Sequence, residues 1–265
     1  MKNTLGLTLL LTAGLAAGAA SAQMTDATEI VEAANKASYY AGEDGRSAAR
    51  MTIVQGDGSR QRRQFTLLRQ DVADGGDQRY LVVFSRPADI RGTVFRVEKH
   101  VGDSDDRWLY LPALDLVKRI AAGDKRTSFV GSHFYYEDIS GRGTEEDRHT
   151  LIETTEDYYV IESTPKDPDN VAFARYHTRI DRETLLPMRT EYQREDGEVY
   201  RRMTVTEVET IDGYPTGTEA RMEDLDSGGH TVTQFRFSEY DVGLPSRIFS
   251  ERSLRNPPRD WLRRE

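Results

Sequence analysis

From residue 47 onward apolar and polar positions alternate with a period of two, and clusters of Gly, Asp, Asn and Pro interrupt the alternation at short intervals. That is the pattern of antiparallel strands joined by tight turns. Residues 51–54 and 65–68 read as a hairpin across Gly56-Asp57-Gly58, and Asp74-Gly75-Gly76-Asp77 turns into a strand over 80–85 that ends at Arg86-Pro87. Thr93, Phe95 and Val97 face one way and Val94, Arg96 and Glu98 the other, which predicts a half-buried strand. The turn at 102–106 leads into a strand over 107–111 that stops where Pro112 removes a backbone donor, and a short alternating run follows at 116–121. Hairpins resume with 145–154 and 158–164, then 173–180 and 186–193. A further strand over 199–209 follows the Glu195-Asp196-Gly197 turn, and Asp212-Gly213 and Ser227-Gly228-Gly229 bound the last two. A sheet of at least ten such strands must curl, so the pattern predicts a mainly β chain built as an open or closed antiparallel barrel.

Two stretches break the period. Asp26 stands where a helix cap is needed with Glu29 three residues on, and Ile30, Val31, Ala34 and Ala37 then share one face at helical spacing, which predicts an amphipathic helix at the start. Packing on the outside of a sheet and covering a ligand both fit that helix. The second stretch crowds Phe129, Val130, Phe134, Tyr135 and Tyr136 into eight residues interrupted by Gly131, Ser132 and His133. It is too short for a long helix and too apolar for a loop left in water, so it is expected to fold over an apolar surface as a short lid.

Composition narrows the function classes. The 265 residues contain no cysteine, which excludes disulfides and thiol acylation, and the net charge of −9 argues against nucleic acid, which calls for a clustered basic surface. Residues 1–22 carry a single lysine, an apolar run and an Ala20-Ser21-Ala22 end, the three parts of a secretory signal peptide. Cleavage after Ala22 is expected, leaving residues 23–265 as a single exported domain in the periplasm. An outer-membrane barrel is disfavoured because Arg96 with Glu98 and Arg189 with Glu191 occupy the faces that would meet lipid. No catalytic pattern stands out: His100, His133, His149, His177 and His230 form no metal-binding spacing, Asp103, Asp105 and Asp106 lack the rest of a calcium loop, and Glu137 with Asp138 is a pairing that chance supplies in so acidic a chain. The expectation is a protein that is not an enzyme and has no cofactor or metal.

The residues also carry a resemblance. The order of amphipathic helix, Arg86-Pro87, Pro87-Ala88-Asp89-Ile90-Arg91-Gly92-Thr93, Trp108-Leu109-Tyr110-Leu111-Pro112-Ala113-Leu114, Thr127-Ser128-Phe129 and Tyr159-Val160-Ile161 resembles the LolA-like outer-membrane lipoprotein-sorting proteins, most of all their larger members. The resemblance implies an unclosed antiparallel half-barrel with a helical lid that shelters acyl chains crossing the periplasm. Its partners are an acylated lipoprotein or lipid cargo, an inner-membrane transporter of the RND or ABC type, and an outer-membrane acceptor. It also implies that the arginine of an Arg-Pro pair at a strand end, here Arg86, latches a lid that includes Ile30, Val31 and Ala34. The chain departs from the short LolA pattern in an extra hairpin over 51–69 and a longer tail ending Pro257-Pro258-Arg259-Asp260-Trp261.

An acyl chain kept out of water needs a continuous apolar trough, since burial is worth about 25 cal/mol per Å². Phe95, Val97, Leu109, Leu111, Met188, Tyr192, Met203 and Val205 are the expected lining, with Phe129, Val130 and Phe134 as plug or lid; flexible Met side chains and large aromatics suit such a floor. By pattern alone these residues fill a closed core equally well, and the resemblance favours the trough. A second class consistent with the same pattern is a periplasmic lipid sensor or adaptor that binds a membrane transporter.

Overall fold

A computed structural model describes residues 23–262; the predicted signal segment and its cleavage site lie outside the described residues. Helix α1 (Ala27–Tyr39) starts where expected, with the Asp26 carboxylate accepting from the backbone N–H groups of Thr28 (2.8 Å) and Glu29 (3.0 Å). Thirteen strands follow: β1 (Asp44–Val54), β2 (Arg60–Asp71), β3 (Gln78–Arg86), β4 (Val94–Lys99), β5 (Asp106–Leu111), β6 (Leu116–Ile120), β7 (Asp147–Thr154), β8 (Tyr158–Pro165), β9 (Arg175–Asp181), β10 (Pro187–Gln193), β11 (Val199–Ile211), β12 (Tyr214–Asp224) and β13 (Gly229–Tyr240). Between β6 and β7 lies the short helix α2 (Tyr136–Ser140), and α3 (Arg252–Arg255) and α4 (Arg259–Leu262) close the chain. None of the helices among the described residues is long and apolar enough to cross a membrane.

The strands form one antiparallel sheet in the order β6-β5-β4-β3-β2-β1-β13-β12-β11-β10-β9-β8-β7, and β6 and β7 remain unpaired with each other, so the barrel is open. Two meanders, β1–β6 and β7–β13, are thus joined by the pairing of the first strand with the last, with Met51 opposite Thr233 and Ile53 opposite Thr231. The hairpin over 51–69, extra by comparison with short LolA sequences, is therefore at the centre of the sheet rather than appended to it. The connection from β6 to β7 runs from one edge to the other and carries the aromatic segment across the inner face.

Three apolar clusters result. On the inner face of β1–β5, Met51, Phe65, Tyr80, Val82, Phe84, Phe95, Val97 and Leu109 pack with Phe129 and Tyr136 from the connection. On the outer face of the same strands, Leu68, Leu81, Val83 and Val94 are covered by Leu244, Ile248, Phe249 and Leu254 of the tail. Strand β3 is accordingly buried on both sides, which is why residues 80–84 are continuously apolar rather than alternating. Asp44 fixes the start of that tail by accepting from the N–H groups of Val242 (2.7 Å) and Leu244 (2.5 Å), and Arg96 donates to the carbonyl of Phe249. The third cluster lies under α1, where Ile30 and Ala34 meet Tyr159, Ile161 and Ile180 of β8 and β9.

Candidate functional site

Strand register builds a floor across the middle of the sheet. Val205 of β11 lies opposite Ala220 of β12, Ala220 opposite Thr233 of β13, and Thr233 opposite Met51 of β1, so four side chains of one row share the inner face. In the next equivalent row Met203 faces Met222. Above this floor α1 stands off on the side of β7, β8 and β12, and the space between is a cavity of about 420 Å³, within the range that holds one ligand of small-molecule size. Val31 and Ala34 of α1, Phe134 and Ile139 of the connection, and Tyr192, Met203 and Val205 of the far meander line it.

The ionisable groups on the wall are each engaged elsewhere. Arg69, buried at 6 % exposure, donates to the carbonyls of Tyr39, Ala41 and Gly42 and pairs with Asp71 at 3.2 Å, tying the end of α1 to β2. Arg142 is held by Asp147 (2.8 Å) and Glu146 (2.7 Å). Asp138 receives the Arg201 guanidinium and the Tyr135 N–H (2.6 Å), and that guanidinium stacks 3.8 Å from the Tyr135 ring. Burial alone would lower the Arg201 pKa, but Asp138 outweighs it and holds the group charged, above its usual range. Burial pushes the hydroxyls of Tyr39, Tyr176 and Tyr192 upward, so all three stay neutral. What the wall offers a ligand is therefore apolar surface with hydroxyls between, as in the Ser47–Ser238 (2.9 Å) and Thr178–Thr190 (3.2 Å) pairs.

The expected trough residues divide into two groups. Val31, Ala34, Phe134, Tyr192, Met203 and Val205 line the cavity. Phe95, Val97 and Leu109 are on the same inner face but outside the cavity, because Phe129 lies on them; its ring centroid is 5.4 Å from Phe95, 5.7 Å from Phe84 and 5.5 Å from Tyr136, and it is fully buried. Leu111 and Val130 are half-buried against that same cluster, Met188 is half-buried outside the lining, and Ile30 fills the core beneath α1 rather than facing the cavity. Arg86 is exposed at the end of β3, and among the described residues its side chain makes no hydrogen bond or ion pair to α1 or to the aromatic segment. An arginine does reach the C-terminal end of α1, but it is Arg69, seventeen positions earlier on the neighbouring strand, which donates to the carbonyls of Tyr39, Ala41 and Gly42. Sequence reasoning missed Arg69, although its place in the alternation Phe65, Leu67, Arg69 puts a charge on the inner face.

The same architecture occurs in known structures. A DUF1329 family protein from Desulfovibrio piger shares 32% identity, matches over 87% of this chain and 100% of its own, and superposes with a TM-score of 0.78. The chain belongs to this family of LolA-like proteins. A family model described as “uncharacterized protein” matches residues 76–256. A Vibrio parahaemolyticus domain assigned to outer membrane lipoprotein sorting is 26% identical to the LolA-like chain, with a TM-score of 0.78 over 87% of this chain and 98% of its own. A LolA superfamily protein from Nitrosomonas europaea shares the fold at 20% identity, with a TM-score of 0.67 over 86% of this chain and 99% of its own. None of the curated proteins matches the sequence.

Proposed function

We propose that this LolA-like chain is a periplasmic carrier that shelters the acyl chain of a lipid or lipoprotein in the cavity beneath α1 and moves it toward the outer membrane. In this reading residues 23–265 form one carrier domain, released by cleavage after Ala22, which takes cargo from an inner-membrane transporter and hands it to an outer-membrane acceptor. The observation that carries the proposal is the cavity itself: an apolar space of about 420 Å³ whose wall charges Arg69, Asp138 and Arg142 are each paired with a group behind the wall suits a ligand with no charge of its own in the bound portion. The likeness to the Vibrio domain assigned to lipoprotein sorting supports the same class of cargo. No step calls for bond chemistry, because the wall's ionisable groups serve to hold α1 and the connection in place.

The test is displacement of a fluorescent acyl probe. Val205, half-buried at the cavity floor, has room for a longer side chain, so Val205→Glu keeps a cooperative thermal transition and lowers probe affinity at least tenfold by placing a carboxylate against the acyl chain. Unchanged affinity in a folded Val205→Glu protein overturns the cavity as the acyl site.

A further inference from the structure

The hairpin of β4 and β5 carries a cluster unrelated to the cavity. Glu98 and Asp106 are directly opposite each other in the register, an arrangement that is repulsive for two carboxylates and invites a cation between them. His100, just beyond β4, points its Nε2 at Asp106 Oδ2 across 3.7 Å. That gap is too long for a hydrogen bond, yet close to the separation of about 3.3 Å between two ligands of one tetrahedral zinc ion with bonds of about 2.0–2.1 Å. One ligand atom from each of Glu98, His100 and Asp106 can be chosen so that all three lie within 4.8 Å of one another.

Two further features orient the set. Asp77 Oδ2 is 3.3 Å from His100 Nδ1, so a carboxylate engages the ring nitrogen that faces away from Asp106; this is the outer-shell contact that fixes the tautomer of a metal-bound histidine. Asp77 Oδ1 also accepts from the Val101 N–H (3.0 Å) and Asp105 Oδ1 from the His100 N–H (3.1 Å), which hold the turn in shape. Each clustered carboxylate gives one oxygen to an arginine, Glu98 Oε1 to Arg96 and Asp106 Oδ1 to Arg119, and the other oxygen, Oε2 or Oδ2, takes no part in that pair.

We propose that Glu98, His100 and Asp106 bind a divalent transition-metal ion, with Zn²⁺ the best match to one imidazole and two carboxylates. The donors are too few in oxygen for a calcium cage, and imidazole selects borderline metals over calcium or magnesium. The three side chains are half-buried, and a tetrahedral ion held by three protein ligands takes water as its fourth. The ion clamps the tip of the β4–β5 hairpin on either side of Lys99, whose ammonium donates to the Ser140 carbonyl (2.7 Å) at the end of α2.

Isothermal titration of the EDTA-treated, dialysed protein with zinc chloride tests this. One equivalent binds; His100→Gln and Asp106→Asn each weaken affinity at least tenfold, while His177→Gln, whose ring faces Glu162 on β8, leaves it unchanged. Circular dichroism confirms folding of each variant. Should either variant fail to fold, cobalt added to the unaltered protein gives the visible absorption of a nitrogen- and oxygen-ligated ion. Absence of one-equivalent binding, equal affinity in folded His100→Gln, equally tight calcium binding, or a colourless cobalt titration each overturns the proposal.

Discussion

The inner face of the sheet has two halves built from the same alternation of apolar side chains, one closed by its own chain and the other left open. Over β2–β5 the connection inserts Phe129 among Phe65, Phe84, Phe95 and Tyr136, and the face is a packed core. Over β9–β13, and reaching Met51, Phe65, Leu67 and Tyr80 at the margin of that core, the covering element is α1, which presents Val31 and Ala34 and leaves a cavity of about 420 Å³. The difference lies in the size of what covers each half. A phenyl ring driven into the sheet fills the first, whereas an alanine-bearing helix face cannot reach the floor of the second.

That contrast is sharpest at Phe129. Truncating a fully buried aromatic in a close-packed cluster costs about 3–5 kcal/mol, so Phe129→Ala is expected to lower the free energy of unfolding by that amount in urea denaturation. Met203→Ala, on the open floor, is expected to cost under about 1.5 kcal/mol, because the side chain already borders empty space. Equal costs at the two positions would erase the distinction between closed and open halves.

Much of the architecture was legible in the sequence for physical reasons. Period-two alternation marks strands whatever they pack against, and Asp26 with the Ile30, Val31, Ala34 face marks α1. The aromatic crowding at 129–136 announced a segment lying on an apolar surface, and it does. What alternation does not contain is the occupant of a face. Phe95, Val97 and Leu109 alternate as a trough wall would, and only the path of the connection decides that Phe129 takes the space. Register is equally silent: Met203 was readable as a floor residue, but Met222, its partner across β11 and β12, and Met51, two strands away from Ala220 in the adjacent row, come together only through pairings distant in sequence. The ligands Glu98, His100 and Asp106 were hidden likewise, since the strand pairing of β4 with β5, not sequence spacing, sets them together.

The boundary between the halves carries a smaller, pH-dependent effect. His133 sits beside the plug, with its N–H donating to Thr231 Oγ1 (3.1 Å) and its Nδ1 2.8 Å from the same hydroxyl. Burial lowers its pKa, and the neighbouring His230 and Arg201 act the same way against the opposing pull of Asp224. A folded-state pKa below the unfolded value of about 6.5 means that the unfolded chain takes up the proton first. The stabilisation is therefore whole above about pH 6.5 and is lost as pH falls through the depressed folded pKa. The free energy of unfolding in urea is expected to drop between pH 7.5 and 5.5, by at most about 1.4 kcal/mol per unit of depression, and the drop is expected to shrink in His133→Gln. His230, also depressed by burial, leaves a remainder. A drop of the same size in His133→Gln would remove His133 as its source.

The smallest effect is expected at Arg86, the position that resemblance to the sorting proteins made a latch. Its side chain is exposed at the strand end, whereas Arg69 is buried and donates to three backbone carbonyls around the end of α1. Removing a solvated guanidinium that has no partner among the described residues costs neither a buried hydrogen bond nor a packed surface, so Arg86→Leu is expected to change stability by no more than about 0.5 kcal/mol. Probe affinity at the cavity is expected to stay within twofold, because neither α1 nor the plug is held by this residue. Paired urea denaturation and probe titrations of Arg86→Leu and the unaltered protein check both numbers. A clear gain in probe affinity with unchanged stability would show that Arg86 engages α1 or the plug in a second arrangement of the chain and restores its role as a latch. An unchanged protein leaves the tether of α1 with Arg69, on β2 beside the strand through which the two meanders join.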